Sequence, residues 1–191
     1  MSIAAVRLNH AVLYVAELER SIAFYQKAFG MEIVAREPRA NAAFLRLPRS
    51  GNHHDLGLFG IGTSYGPKRP GIGLYHLAWQ VDTIDELAQA QVTLAELGAL
   101  VGESSHGATK SLYGQDPDGH EFEVQWMLPR AGWGEFESSA PIEPLDLRGE
   151  LQTWTGVRTA DELRPIEPTS GARSARSSLR RRGPTPRPRR S

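Results

Sequence analysis

Two stretches of this chain repeat each other. LNHAVLYV at residues 8–15 and LYHLAWQV at 74–81 match Leu for Leu, His for His and Val for Val at a constant offset. Each leads into a helical pattern that ends at a glycine, and then into three strand-like runs. Repetition of this kind implies duplicated units that pack on one another. A chain of 191 residues has room for one good core, or for two small repeated units sharing one.

In the first copy the helix is expected over Leu18 to Phe29, with Gly30 as a left-handed cap. In the second, Thr83 and Glu86 form a capping box and the helix runs to Leu97 before Gly98. The strand-like runs are EIVAR, AAFLRL and DLGLFGI in the first copy, and ALVGE, KSLYGQD and EFEVQW in the second. Each unit thus reads β-α-β-β-β, an α+β architecture. PRSGNH and DPDGHE are matching hairpin turns, each with a glycine where positive φ is needed.

Side chains alternate between the faces of a strand. Leu77, Trp79 and Val81 then point toward helices, and His76, Ala78 and Gln80 the other way. Likewise Phe122, Val124 and Trp126 take an apolar face, while Glu121, Glu123 and Gln125 take a polar one. Paired units would form a concave polar surface carrying His10, His76 and Glu123. Two imidazoles and one carboxylate on rigid strands, with the remaining positions open, make the facial triad of non-haem Fe(II) oxygenases. A lone strand histidine is more often a core or surface residue; two at equivalent repeat positions are what point to a shared site. Glu121, one pleat away on the same face, is the competing carboxylate, and a solvated or salt-bridged edge role suits it better.

Composition narrows the classes. Hydrophobic residues are 40% and charged residues 23% of the chain, as in a globular domain. No apolar run approaches the roughly 20 residues needed to span a bilayer. Without cysteine, any metal must be held by His, Asp and Glu, and no disulfide framework exists. With no basic, apolar and cleavage regions at the N-terminus, a cytoplasmic protein is expected. The net charge of +0 hides a division: residues 168–191 hold eight arginines and no acid, leaving 14 basic against 22 acidic residues before them. That Arg/Ser/Pro-rich tail is expected to be disordered. A nucleic-acid contact through it has no aromatic interleaving to support it. The expected organisation is a paired domain over 1–128, with modules about 6–62 and 72–128, then a surface-wrapping extension over 129–167 with a short helix around Thr159 to Leu163, then the tail.

The paired β-α-β-β-β units, the His near the start of each, and DPDGHEFEV with Glu123 four residues after Gly119 resemble the vicinal oxygen chelate superfamily over roughly residues 6–128. That superfamily spans glyoxalases, bleomycin resistance proteins and dioxygenases. The resemblance implies a curved mixed sheet of two modules around a metal held by His10, His76 and Glu123. NHHDLGLF further resembles the His-Asp-x-x-x-Phe strand of type I extradiol dioxygenases, which implies an acid–base role for His54. Tyr113, ten residues before Glu123, matches the family tyrosine that hydrogen-bonds the metal-bound catecholate. His106 resembles an additional active-site histidine upstream of it. Many such enzymes carry a second, non-catalytic pair of units, whereas this chain has room for one pair, like the single-domain members.

What this implies is an Fe(II) enzyme, with Mn(II) as an alternative metal, that inserts both atoms of O2 into a catechol-like aromatic diol and opens the ring beside the diol, in aromatic catabolism. A homo-oligomeric assembly is also expected. His54 would handle protons, and Tyr113 would stabilise charge on the substrate oxygen. Two rivals share the scaffold. A glyoxalase-type isomerase or epimerase would need a fourth protein ligand on the last strand of the first module, where Asp55 is the only acid. An antibiotic-binding protein would normally lack the triad. His53 and His120 read as turn residues, and DPDG lacks the further ligands of a calcium loop.

Overall fold

The computed structural model describes residues 2–5, 7–64 and 71–160. Its first module runs β1 (Ala11–Val15), α1 (Leu18–Phe29), β2 (Glu32–Glu37), β3 (Ala42–Arg46) and β4 (Leu56–Gly60). The second runs β5 (His76–Gln80), α2 (Ile84–Glu96), β6 (Leu100–Ser105), β7 (Thr109–Gln115) and β8 (Glu121–Met127). Each module forms its own four-stranded mixed sheet, in the orders β1-β4-β3-β2 and β5-β8-β7-β6. The first and last strands of each module pair in parallel and the others antiparallel. A parallel neighbour needs a crossover connection, and each module's helix begins that crossover.

Helix α1 forms because Leu18, Ile22, Tyr25 and Phe29 recur at i, i+4, i+7 and i+11, one apolar stripe of a 3.6-residue period. It stops at Gly30, whose φ of 64° is readily available only without a Cβ. Helix α2 starts at Thr83, whose hydroxyl accepts from Glu86 N–H at 3.1 Å. The reciprocal half of the expected capping box is displaced by one residue: the Glu86 carboxylate accepts from the Asp82 N–H at 2.9 Å, because it is also held by Arg49 across the module boundary.

The modules join along an aromatic seam. Phe122 of β8 lies 6.0 Å from Phe24 and 5.3 Å from Phe29 of α1, and Trp79 of β5 lies 5.7 Å from Phe29. The DPDG turn completes the join, which its reading as a turn alone does not foresee. Asp118 accepts from the Ala16 N–H at 3.0 Å and pairs with Arg20, while Asp116 accepts from the Tyr25 hydroxyl at 3.1 Å.

Burial pushes the Asp116 carboxyl up, but the His120 ring and the backbone N–H groups of His120 and Asp118 donate to it and hold it below the usual carboxylate range. The folded carboxyl thus binds its proton less readily than the unfolded one. Its contribution is complete above the ordinary Asp pKa and is lost as pH falls through the depressed value. Asp116→Asn is expected to cost about 1–3 kcal/mol near neutral pH, and to flatten the loss of thermal stability between about pH 4 and pH 2. Melting temperatures of both proteins across that range test this.

Residues 129–160 pass over the second module. Two short 3-10 turns, Arg130–Gly132 and Gly134–Glu137, lead to an antiparallel bridge between Ser105 and Glu143, and then to α3 (Leu147–Trp154). This helix is an element that the expected organisation of the extension does not include. Asp146 caps it by accepting from Gly149 N–H at 3.0 Å, Glu150 pairs with the buried Lys110 at 2.7 Å, and Trp154 packs on Trp126 at 6.1 Å. The helix expected around Thr159 to Leu163 falls mostly outside the described residues. Thr159 itself is not helical, and its N–H donates to Asp82 at 3.1 Å. The basic tail over 168–191 also lies outside them. Among the described residues, no helix is long and apolar enough to cross a membrane.

Candidate functional site

Parallel pairing of β5 with β8 sets His76 opposite Glu121 and Ala78 opposite Glu123. Because Ala78 is small, the Glu123 side chain can lean diagonally along β5, and its Oε2 lies 3.2 Å from His76 Nε2. Glu123 is only 7% exposed, although its neighbours in sequence, Phe122 and Val124, point into the apolar core. Burying a carboxylate without compensation is costly, so its placement is consistent with a functional demand. Glu121 behaves differently: its carboxylate accepts from the Tyr75 hydroxyl and raises the Tyr75 pKa.

Tyr113 of β7 stands opposite Glu123 in the antiparallel register, with its ring 5.9 Å from that of His76. Its hydroxyl lies 2.8 Å from His106 Nε2. Ser104, two residues before His106 on the polar side of β6, places its Oγ 2.8 Å from the same nitrogen. The other ring nitrogen of His106, Nδ1, meets the Pro141 carbonyl oxygen at 2.8 Å. His106, expected from the resemblance as an additional site histidine upstream of Tyr113, therefore joins Tyr113 directly. Ser104 and Pro141 were missed; alternation along β6 could have revealed Ser104, but no sequence signal marks Pro141.

The first module gathers a separate group. His10 and His54 have ring centroids 4.5 Å apart, and Phe44 abuts His54 at 5.1 Å. Asn52 holds them together by donating to the Asn9 carbonyl at 3.0 Å and to Asp55 at 2.7 Å. Burial pushes the His54 pKa down, and the neighbouring His10 and His53 push it further, against an opposing pull from Asp55. These effects favour the neutral ring, the form able to accept a proton. Asp55 is buried and accepts from Leu47 N–H, Ser50 Oγ and Asn52 Nδ2 at 2.8, 2.6 and 2.7 Å, so it is a hairpin brace and not a free ligand.

His76 and Glu123 fit one edge of a metal site. Ligand atoms bonded at about 2.1 Å and at right angles to one another sit about 3.0 Å apart, close to the observed 3.2 Å. His10 does not join this pair: it is exposed, bonds Asn9 Oδ1 at 2.9 Å and packs on His54. Among the described residues, no three His, Asp or Glu side chains gather into a group that could hold a metal ion. The concave face expected to bring all three together is thus divided: His76 and Glu123 meet on the second module, and His10 stands with His54 on the first.

Known proteins share this arrangement of strands and helices. The chain is 30% identical over 131 residues to a catechol-2,3-dioxygenase of Bacillus subtilis (strain 168), covering 66% of this chain and 43% of that protein. It thus spans less than half the length of that relative. It is 29% identical over 124 residues to a lactoylglutathione lyase of Neisseria meningitidis, covering 62% of this chain and 88% of the lyase. A solved glyoxylase/bleomycin resistance protein/dioxygenase domain from Frankia sp. EAN1pec superposes with a TM-score of 0.56 at 20% identity, over 65% of this chain and 100% of that one. Residues 7–124 match the profile of one family, and the two β-α-β-β-β modules agree with it: the chain belongs to the Glyoxalase/Bleomycin resistance protein/Dioxygenase superfamily.

Proposed function

We propose that this protein is an extradiol-type dioxygenase acting on a catechol-like aromatic diol, with Fe(II), or Mn(II) in its place, held by His76 and Glu123 and by His10 recruited from its place beside His54. The observation that carries the reading is the 3.2 Å approach of His76 Nε2 to Glu123 Oε2 on a polar sheet face with Tyr113 opposite. The dioxygenase relative supports it. So does the commitment of Asp55 to its hairpin, which withholds the one carboxylate a four-ligand isomerase would draw from the first module.

The metal would supply the open positions at which diol and dioxygen meet. The protein's own groups do the rest. Tyr113 presents its hydroxyl to a substrate oxygen, and His54, whose neutral form is favoured, can take up a proton and return it as the ring opens. Phe44 packs edge-on against one side of the His54 ring.

The test is anaerobic loading with Fe(II), then exposure to a panel of catechols in air, following oxygen uptake and the yellow ring-opened product. Uptake with at least one catechol is the expected result. Metal binding with no uptake would favour the isomerase or epimerase alternative, and absence of metal binding would leave a small-molecule binding protein. The substrate, a cytoplasmic location and a homo-oligomeric assembly are part of the same proposal.

A further inference from the structure

His106 sits between the family domain and the C-terminal strap, and the strap dictates which of its nitrogens carries a proton. Its Nδ1 is 2.8 Å from the Pro141 carbonyl oxygen, and a carbonyl can only accept. Nδ1 therefore holds the proton in the neutral ring, and Nε2 holds a lone pair. That lone pair faces the Tyr113 hydroxyl and Ser104 Oγ, each at 2.8 Å. Hydroxyls rotate and can either donate or accept, so neither fixes the tautomer. The carbonyl has no such choice.

The strap is held in place next to His106. Ser105 N–H donates to the Glu143 carbonyl at 2.8 Å, and Glu143 N–H returns a bond to the Ser105 carbonyl at 3.0 Å. Buried Lys110 bonds Ser105 Oγ at 2.9 Å and Glu150 of α3 at 2.7 Å, tying the same strand end to the far side of the strap. Pro141, Glu143 and Glu150, the strap's side of these contacts, lie beyond residue 124, where the family match ends.

We infer that Pro141 is a positioning residue: through its carbonyl, the strap locks His106 as the Nδ1–H tautomer and makes Nε2 the acceptor for the Tyr113 hydroxyl. When Tyr113 supplies that hydrogen, its oxygen is left as an acceptor, with Ser104 Oγ 3.4 Å away on the donor side. A Tyr113 hydroxyl engaged in this way meets an incoming ligand as an acceptor, which departs from the expectation that it donates to a charged substrate oxygen. The inference rests on the proposed function only for the identity of that ligand; the tautomer is a property of the metal-free protein.

The experiment is 15N NMR of the full, metal-free chain labelled at histidine, with His106→Gln to assign the ring. The expected spectrum of the neutral ring has a protonated Nδ1 and a bare Nε2, unchanged in Tyr113→Phe. Glu143→Pro, which removes the N–H that pins the strap, is expected to release the ring to a mixture of tautomers. An Nε2–H ring in the unmodified protein would overturn the inference, as would a tautomer that flips in Tyr113→Phe, because the tyrosine would then be the determinant. Retention of a pure Nδ1–H ring in a folded Glu143→Pro protein whose strap has left Ser105 would overturn it too. If that variant does not fold, the first two spectra still decide. None of these results depends on whether catechols are cleaved.

Discussion

Glu123→Ala is expected to weaken binding of Fe(II) or Mn(II) by at least about 100-fold, since changing even the outer-shell partner of a metal ligand costs roughly 10–100-fold. The carboxylate is buried and faces His76 Nε2 at 3.2 Å. Glu121→Ala is the matched control. Its carboxylate shares the face of the sheet but is engaged with Tyr75, so metal affinity should stay within about twofold, the size of an ordinary surface substitution. His10→Ala should fall between them, because His10 stands with His54 and must be recruited to the pair. Anaerobic calorimetric titration of the three variants measures all of this. Unchanged affinity in Glu123→Ala would remove the basis of the proposed site.

Phe122→Ala should produce the largest loss of stability. The ring is 2% exposed and wedged between Phe24 and Phe29 of the other module's helix, so truncation leaves a cavity in the seam. Such changes cost about 3–5 kcal/mol, which in a chain of this size lowers the melting temperature by about 6–20 °C. Scanning calorimetry should also show a broader transition if the seam couples the modules into one cooperative unit. A loss below about 1 kcal/mol would mean that the modules do not depend on this contact. Phe122 precedes Glu123, so the same strand carries the seam on one face and the site on the other.

Much of this architecture was legible in the chain. The repeat announced the two modules, the glycines after each apolar stripe marked the helix ends, and alternation along LYHLAWQV and EFEVQW assigned each residue to a face. Alternation could not separate Glu121 from Glu123, which share a face. What separates them is the register of β5 against β8, which places Ala78 beside Glu123 and leaves the carboxylate room to reach His76.

Contacts between distant segments were not legible. The Asp118 clamp on α1, the Lys110–Glu150 pair beneath α3 and the Pro141 carbonyl at His106 each join residues far apart in sequence with no periodic pattern between them. Local sequence determines which way a side chain points along its own strand or helix, because backbone geometry repeats every two or 3.6 residues. It does not determine which other segment arrives to meet that side chain. Here the chain alone determined the modules and the polar face that carries the candidate residues. Only the tertiary structure decided that His76 pairs with Glu123 while His10 stands with His54, and that a carbonyl outside the family domain faces His106, because these depend on how separately formed sheets and a following strap pack together.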